Sequence, residues 1–490
     1  MRPKNICSWL INMAEEDLKY KTKKGLYWKA FDTYASFAMQ FIVGIVMARL
    51  LTPEDYGITA LPAVFMAIAS TIVDGRFGLA LIRKPKLTQQ DLSTAFIYSL
   101  LMGLSMFICL YFCAPLISEF YNTPILTPLV RVTALTFIWG PLTTPQIVIL
   151  RRKLDFKTPA RISFIKNILS GVAGIAAAYV GYGVWALVIA SITSSLLEVT
   201  LLWIAVKWYP HAKFSRDSFK YLWGYGNRLM GVDLMNTIQI NIAPVIIGKY
   251  FSPTELGLYN RAQSFSILPI SQLNTTISSV TFPVLSKIND DREKQTIYYR
   301  KMIRTACFIS FLIMMLLAGL AKPIVILLLT EKWADCILLL QILCFATMWG
   351  PMSSLNLNIL QVSGRTDLYF NLEIKKKIIA LFLMIISLPF GVTWFCLSLV
   401  VNQFVCIYIN VKSANKVLPL SLREQFKDVL PSFILSLLTF LISFGVTFLV
   451  DNYWLQILLG GIIGTVVYLG FAFVLKFEGL ENAIYLLKRF

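Results

Sequence analysis

The sequence predicts an all-α polytopic membrane protein with about fourteen transmembrane helices. Hydrophobic residues make up 57% of the 490 residues and charged residues only 14%, whereas a soluble protein carries roughly a quarter charged residues. Apolar runs of about 20 residues recur along the chain, and this is the length that a helix needs to cross a bilayer. Strands of a membrane β-barrel would instead alternate apolar and polar residues over about ten positions.

The first 26 residues are predicted to form a cytoplasmic or interfacial segment rather than a signal peptide. Glu15, Glu16 and Asp17 interrupt the candidate apolar run, and no small-residue cleavage site follows. The predicted spans then follow one another with short connections. They are residues 27–50, 54–82, 92–115, 125–150, 160–181, 184–207, 222–250, 255–284, 299–321, 334–362, 368–388, 391–414, 430–450 and 453–475.

The connection after the first span returns, diverged, after the seventh. The first copy is ARLLTPEDYGI at 48–58 and the second is GKYFSPTELGL at 248–258. Proline cannot continue the preceding helix, and a Ser/Thr-Pro-x-acidic run suits the start of the next one, so each copy predicts the connector of a helical hairpin. The matching positions are Arg49 with Lys249, Thr52 with Ser252, Pro53 with Pro253, Asp55 with Glu255 and Gly57 with Gly257.

Further matches extend this duplication along the chain. Trp139-Gly140-Pro141 matches Trp349-Gly350-Pro351, Ile149-Leu150 matches Ile359-Leu360, and Asp74 matches Asn274. Six spans return the chain to the same side of the membrane, so we expect two parallel six-helix lobes related by a pseudo-two-fold axis along the membrane normal. The predicted parts are a segment at 1–26, an N-lobe at 27–207, a cytoplasmic linker at 208–221, a C-lobe at 222–416, and two appended spans with a cytoplasmic tail at 417–490.

The charge pattern predicts the topology. The net charge is +19, and the Lys and Arg residues concentrate in alternate loops. The opposite loops hold only Arg49, Lys249, Lys322 and Lys332. By the positive-inside rule, both termini are predicted to be cytoplasmic, and the basic loops indicate topology rather than nucleic-acid binding. The eight Cys residues form no CxxC motif and there is one His, so no metal, cofactor or disulfide framework is predicted.

The sequence resembles a known family. Its R-x-L-x-P-x-[DE]-[YF]-G connector at 49–57 and the echo SPTELGLYNRAQSF at 252–265 resemble the polysaccharide exporters of the MOP superfamily, in particular the O-antigen, colanic-acid and teichuronic-acid branch. The resemblance implies two lobes forming a V and a central cavity walled by spans one, two, seven and eight. It also implies alternating access in the bacterial inner membrane.

The resemblance further implies a substrate and partners. The substrate would be an oligosaccharide linked to a polyprenyl diphosphate carrier, moved from the cytoplasmic to the periplasmic leaflet. Membrane lipid and other polysaccharide assembly proteins would be the partners. The resemblance does not indicate the glycan or the coupling ion.

Cationic residues inside the spans are candidates for binding the diphosphate. An Arg at mid-bilayer costs about 2.5–3.5 kcal/mol on insertion scales, so it usually faces a cavity or a partner. Its planar fork suits phosphate. Arg261 lies about two turns inside span eight beside Asn260, Arg228 lies in span seven, and Arg76 lies in span two. The alternative is that such side chains reach a lipid headgroup, which weighs most for Arg76 and Arg131.

Spans one and seven each carry a polar stripe with a carboxylate. In span seven, Asp233, Asn236, Thr237, Asn241 and Pro244 fall on one helical face. We expect such a stripe to line the cavity, and the alternative is hydrogen bonding between neighbouring helices. Asp233 is predicted to bind a coupling cation or to pair with Arg228.

In span one, Asp32, Ser36 and Gln40 recur at i, i+4 and i+8, and Lys29 lies one turn before Asp32. Asp32 is predicted to bind a coupling cation or to pair with Lys29. Asp74 in span two is a further candidate for coupling.

Two other functions are open. One is a drug or organic-cation antiporter of the same superfamily, whose cavity would be acidic in balance. Here the predicted spans hold four Arg residues beside the acids Asp32, Asp74, Asp233 and Glu198. This number of Arg residues inside the spans favours an anionic substrate. The other is a membrane-embedded glycan polymerase or ligase, which would need catalytic groups in a large periplasmic loop. The longest such loop, 320–335, has two acids and no His, so an enzyme is disfavoured.

Overall fold

The computed structural model describes the backbone of residues 4–288 and 291–487 and the side chains of 24, 25, 27–279, 281, 282, 284–288, 291–365 and 367–484. Within these residues every regular element is helical. The chain divides into two compact units, with the boundary between Lys249 and Tyr250. We call them unit 1 and unit 2 and describe each separately.

The described residues of unit 1 form eleven helices. They are α1 (Lys4–Leu50), α2 (Pro53–Ala60), α3 (Ala63–Asp74), α4 (Phe77–Arg83), α5 (Gln89–Phe120), α6 (Leu126–Ala134), α7 (Thr136–Trp139), α8 (Thr144–Arg152), α9 (Lys157–Tyr179), α10 (Val184–Val206) and α11 (Arg216–Tyr250). A 3₁₀ turn, Gly140–Thr143, lies between α7 and α8.

In unit 2, the part of the chain that the structure describes forms ten helices. They are α12 (Pro253–Lys287), α13 (Arg292–Gly319), α14 (Ala321–Leu329), α15 (Cys336–Thr347), α16 (Gly350–Val362), α17 (Thr366–Ser387), α18 (Val392–Ala414), α19 (Leu422–Leu449), α20 (Tyr453–Val474) and α21 (Glu478–Leu487). Two 3₁₀ turns, Glu331–Trp333 and Leu388–Phe390, join neighbouring helices.

The predicted all-helical membrane class is confirmed. Twelve segments of the described chain are long and apolar enough to cross a membrane. Each of the fourteen predicted spans coincides with helical structure, but α12 and α17, the predicted spans eight and eleven, are not among the twelve. Their polarity explains this, since α12 carries Asn260, Arg261 and Gln263, and the sequence of α17 includes DLYFNLEIKKK. The number fourteen therefore stays a prediction.

Both copies of the connector form the same local structure. Thr52 and Ser252 are extended N-cap residues, and a Pro opens the following helix in each case. The Asp55 N–H donates to Thr52 Oγ1 at 3.2 Å, and the Thr52 N–H donates to Asp55 Oδ2 at 2.9 Å. The corresponding bonds between Ser252 and Glu255 are 3.2 and 2.9 Å. These capping boxes satisfy helix-start N–H groups, so the short Ser/Thr-Pro-x-acidic motif is enough to begin each helix.

The second repeated motif, Trp-Gly-Pro, interrupts a span in both units. In unit 1 the 3₁₀ turn begins at Gly140, and in unit 2 helix α16 begins at Gly350 after α15 has ended at Thr347. A Cβ atom placed on Gly350 would lie 3.3 Å from the side-chain nitrogen of Asn274. Two positions that repeat between the halves are therefore neighbours in unit 2.

Small residues let the helices of unit 1 approach closely. A Cβ on Gly171 of α9 would lie 2.6 Å from a methyl of Val43 in α1, and one on Gly174 would lie 2.8 Å from Ala190 in α10. Such small-residue contacts are the usual way in which membrane helices pack, because lipid supplies no hydrophobic drive between them.

The last two predicted spans pack against α13 in unit 2. The Tyr468 hydroxyl of α20 donates to the Phe308 carbonyl of α13 at 2.8 Å. The Ser443 hydroxyl of α19 donates to the Gly460 carbonyl of α20 at 3.0 Å. Both helices, α19 and α20, are therefore integral to the packing of unit 2.

Predicted span two, 54–82, is not a single helix. It is broken first at Leu61-Pro62, between α2 and α3, and again at Gly75-Arg76, between α3 and α4. Gly75 (φ 51°) and Arg76 (φ 56°) are both left-handed, a conformation that costs a non-glycine residue about 1–2 kcal/mol. Helix α11 packs directly on this second break, because a Cβ on Gly226 would lie 2.4 Å from the Gly75 carbonyl oxygen.

We expect Gly226→Ala to destabilise the protein by about 1–3 kcal/mol, because the new methyl group would overlap backbone that cannot move aside. Gly224→Ala in the same helix is the matched control, since its Cβ would meet nothing within 4 Å. Unfolding in detergent micelles measures both variants. Equal stabilities for the two would contradict the close approach of α11 to the break.

Candidate functional site

A polar cavity of about 540 Å³ lies in unit 1 beside the break in span two. Three parts of the unit form it: the end of α3 with the break, the Trp-Gly-Pro turn with its flanking residues, and the middle of α11. Its polar lining residues are Ser70, Thr71, Asp74, Arg76, Thr136, Thr143, Thr144, Asp233, Asn236 and Thr237. Asp74 and Gly140 therefore line the same cavity in unit 1. In the same way, their counterparts Asn274 and Gly350 are neighbours in unit 2.

An ion pair crosses this cavity. The Arg76 side chain donates from Nε to the Asp233 carboxylate. The Arg76 side chain is 40% exposed and the Asp233 side chain 24% exposed, so the pair is only partly covered. The left-handed backbone at Arg76 directs a cation toward α11, and within a membrane such a cation needs a partner or water. The partner of Asp233 is thus Arg76, where the sequence suggested Arg228.

The cavity contains a second carboxylate, Asp74, next to the break. Together, Asp74, Asp233 and Arg76 give the cavity two negative formal charges and one positive formal charge. The anionic balance differs from the cationic site that the sequence suggested. Among the described side chains, Asp74 forms no ion pair with a cation, which leaves its oxygens available to a proton or a small cation in the cavity.

Hydroxyl and amide groups form the rest of the polar lining. The hydroxyls of Thr71 and Thr237 lie 3.1 Å apart and join α3 to α11. Thr143 donates its hydroxyl proton to the Gly140 carbonyl at 2.8 Å, so its oxygen keeps lone pairs that can accept a hydrogen bond. Asn236 also lines the cavity. Such groups suit a ligand that is rich in hydroxyls.

Other candidates on the predicted stripes lie outside this cavity. Asn241 is not among its lining residues and donates to the Thr237 carbonyl of its own helix at 2.7 Å. Arg228 is exposed on α11. In α1, Lys29 pairs with Asp32 at 3.0 Å, as the spacing suggested, while Gln40 is exposed.

Unit 2 holds the remaining candidates, Arg261 and Asn260 on α12. The Arg261 guanidinium lies 5.3 Å from the ring centre of Trp333, which is fully buried. A cation over an aromatic face is attracted by the ring quadrupole. Asn260 is half-buried, and its backbone carbonyl accepts the Ser264 hydroxyl at 2.7 Å.

Several polar residues of the structure were not singled out from the sequence. Thr71, Thr136, Thr143 and Thr144 line the cavity, and Lys376 forms an ion pair with Glu373 within α17. The repeated Trp-Gly-Pro motif could have drawn attention to Thr143 and Thr144, because they lie two and three residues after its Pro141. Isolated Thr residues such as Thr71 give no such signal, since Thr is common in membrane helices. Among the residues that the structure describes, no group of three His, Cys, Asp or Glu residues could hold a metal.

The cavity and both connectors fall within one family match. A model of the family described as polysaccharide biosynthesis protein matches residues 46–338. The chain belongs to that family. The matched region begins near the end of α1 and includes both connectors, the polar cavity and Arg261.

Curated relatives align along most of the chain. The teichuronic acid biosynthesis protein TuaB of Bacillus subtilis is 23% identical, over 88% of this chain and 90% of the relative. The lipopolysaccharide biosynthesis protein WzxC of Escherichia coli is 24% identical, over 87% of this chain and 88% of the relative. The succinoglycan biosynthesis transport protein ExoT of Rhizobium meliloti is 23% identical, over 63% of this chain and 62% of the relative.

Solved structures share the fold. The lipid II flippase MurJ in an inward closed conformation aligns with a TM-score of 0.72 and 17% identity, covering 92% of this chain and 98% of that one. An inward-facing multidrug resistance MATE family transporter of the MOP superfamily aligns with a TM-score of 0.54 and 16% identity, covering 78% of this chain and 94% of that one. The chain therefore shares the fold of these two proteins.

We expect Arg76 and Asp233 to be energetically coupled. Either single change, Arg76→Gln or Asp233→Asn, leaves a charge without its partner in a membrane segment, whereas the double variant removes both charges. A double-mutant cycle measured by unfolding in detergent micelles should give a coupling free energy of about 1 kcal/mol.

The pair Lys29–Asp32 is the comparison for this cycle. It joins residues three apart on one helix, with the Lys29 side chain 61% exposed, so its coupling should be below about 0.5 kcal/mol. A coupling at Arg76–Asp233 no larger than that of the comparison pair would mean that the contact does not join α11 to the break.

Proposed function

We propose that this protein is a flippase for a polyprenyl-diphosphate-linked oligosaccharide. It moves the lipid-linked glycan from the cytoplasmic to the periplasmic leaflet by alternating access, as a step in surface polysaccharide export. The protein acts in the bacterial inner membrane, with both termini cytoplasmic, and works beside other polysaccharide assembly proteins. On this proposal it moves its substrate without changing it and is not an enzyme.

The family match on a multi-pass membrane chain carries the proposal. A polysaccharide biosynthesis protein with twelve helices apolar enough to span a membrane is built to handle its glycan at or across the bilayer. The relative from Rhizobium meliloti is named as a transport protein, and the structural neighbour MurJ is a flippase for lipid II. A sugar linked to a lipid is the substrate class that is consistent with both names.

The cavity of unit 1 supports the glycan part of the proposal. Its volume of about 540 Å³ lies within the usual range of ligand pockets, about 300–1,000 Å³. Thr71, Thr143, Thr237 and Asn236 supply hydroxyl and amide groups that can exchange hydrogen bonds with sugar hydroxyls. Arg76 uses its Nε–H for Asp233 and keeps four further N–H donors for a substrate oxygen.

The diphosphate and the coupling ion are assigned to other charged groups. We assign the diphosphate to Arg261 of unit 2, because a guanidinium group binds phosphate through a pair of parallel hydrogen bonds. Arg228 of unit 1 stays a separate candidate for contact with phosphate. Asp74 is the coupling candidate in the cavity, while Asp32 and Asp233 have cationic partners already. An ion gradient is the proposed energy source.

A drug or organic-cation antiporter is the second candidate, and one observation favours it. The cavity of unit 1 holds two Asp residues and one Arg, a balance that would suit a cationic ligand. The family match and the names of the three relatives weigh against it, since none of them refers to drug export.

The deciding experiment follows a fluorescent polyprenyl-diphosphate oligosaccharide across proteoliposome membranes. We expect wild type to move it and Arg261→Ala to move it at least about tenfold more slowly, since a lost charge-assisted hydrogen bond costs roughly 1.5–3 kcal/mol. Arg131→Ala is the matched control, because Arg131 also packs on an aromatic ring, at 4.4 Å from the centre of Tyr111. Loss of aromatic packing alone would slow both variants equally.

Three results are informative. If both Arg variants transport like wild type, the flippase stands and the assignment of Arg261 is wrong. If wild type moves no lipid-linked sugar but exchanges an organic cation for Na⁺ or H⁺, the antiporter replaces the flippase. If the glycan is altered chemically during the assay, the protein is an enzyme.

A further inference from the structure

A second cavity lies in unit 2, far along the chain from the polar cavity of unit 1. It has a volume of about 240 Å³ and is lined by residues of α13, α19 and α21 and by the connection after α20. The ends of the helices that meet there are the start of α19, the end of α20 and the start of α21. By the positive-inside rule, their basic loops belong to the cytoplasmic face.

The carboxylates of this cavity are already neutralised by arginine. Asp428, whose side chain is 4% exposed, accepts two hydrogen bonds of 2.7 Å from Arg300 and one of 2.5 Å from Arg304. Arg304 also pairs with Glu478. Two arginines thus balance two acids and tie α13 to α19 and α21.

Two further cations of this cavity are lysines. Lys427 and Lys476 line the same cavity and are exposed. Among the described residues, neither lysine forms an ion pair with a carboxylate. The lining of the cavity carries three positive charges, Arg304, Lys427 and Lys476, against the two negative charges of Asp428 and Glu478, and Arg300 adds a further positive charge at Asp428, so an anion can bind there.

The backbone at Lys476 is an independent observation. Lys476 is left-handed (φ 50°) directly after α20, and the Phe477 N–H reaches back to the Ala472 carbonyl at 2.9 Å. Glycine is the usual residue at this helix-ending position. A lysine there is strained relative to glycine, and its charged side chain lines the cavity.

An exposed apolar stripe continues from the cavity along α19. Lys427 and Pro431 line the cavity, and Ile434, Leu438 and Leu441 follow at the same helical face. These three apolar side chains are 58%, 38% and 63% exposed. A ligand with an anionic head and an apolar tail would contact the lysines with its head and this stripe with its tail.

We propose that this cavity binds the phosphate headgroup of an anionic phospholipid. Basic pockets between membrane helices on the cytoplasmic side are typical sites for such headgroups. The apolar stripe favours a lipid over free phosphate. The lipid binds where α13, α19 and α21 are joined by Arg304, so it stabilises the docking of α21. This inference does not depend on the transport function.

The test measures lipid binding by the purified full-length protein in a neutral detergent. Phosphatidylglycerol is the probe, and native mass spectrometry together with the thermal shift gives its affinity. We expect wild type to bind it, and Lys427→Gln/Lys476→Gly to bind it at least about tenfold more weakly, because each basic residue near an anionic lipid contributes substantially to affinity. Lys213→Gln, which changes an exposed loop lysine of unit 1, should bind like wild type.

The variants also report on folding. Lys476→Gly should be as stable as wild type or more stable without lipid, since glycine fits the left-handed backbone. The melting temperature of the double variant without lipid then distinguishes lost binding from misfolding. Equal binding by wild type and the double variant would overturn the proposal. The proposal would also be overturned if wild type bound zwitterionic phosphatidylcholine as tightly as phosphatidylglycerol. It would be overturned as well if inorganic phosphate at the same concentration displaced the bound phosphatidylglycerol. Transport by the double variant is a separate readout, and its loss or retention leaves the lipid-binding result unchanged.

Discussion

Inside a bilayer, every charge and every backbone polar group must find its partner within the protein or in a wet cavity, and the ion pair between Arg76 and Asp233 meets this constraint at the break in span two. At this break, Gly226 lets α11 approach the Gly75 carbonyl closely. The polar cavity lies beside the break, and Asp74 and Arg76 are among its lining residues. The open helix, the tight packing of α11 and the polar lining are thus parts of one arrangement.

The two halves of the chain keep the same framework and differ in how they use it. Both connectors have a capping box, and both Trp-Gly-Pro motifs interrupt a span. At the matched positions Asp74 and Asn274, however, unit 1 has a charged residue beside a broken helix, whereas Asn274 lies within the unbroken helix α12. A duplicated scaffold has therefore kept its helix-start signals, which are local, while the polar site of each half has diverged.

The sequence predicted well what depends on composition and local chemistry. Long apolar runs specify membrane helices wherever they occur, and Thr52-Pro53 and Ser252-Pro253 specify helix starts through bonds that span three residues. The break at Gly75-Arg76 was not predictable in this way, since Arg is rarely left-handed and the reason lies in packing against α11. The partner of Asp233 lies 157 positions away, and no local pattern selects Arg76 over Arg228. The polar site depends on contacts between residues that are far apart in the sequence, whereas the membrane spans depend on residues that are close together in it.

Arg76 and Lys476 are both long cationic side chains in backbone conformations that suit glycine. Glycine at Lys476 would relieve this strain, so a screen for stability would favour it. Glycine at Arg76 would relieve strain as well, but it would leave Asp233 without its ion-pair partner. Selection for heat resistance alone would therefore tend to fix glycine at Lys476 and lose its charge unnoticed. Stability screens on this fold need a binding readout alongside them, since a charged residue can be kept at a strained position for binding rather than for folding.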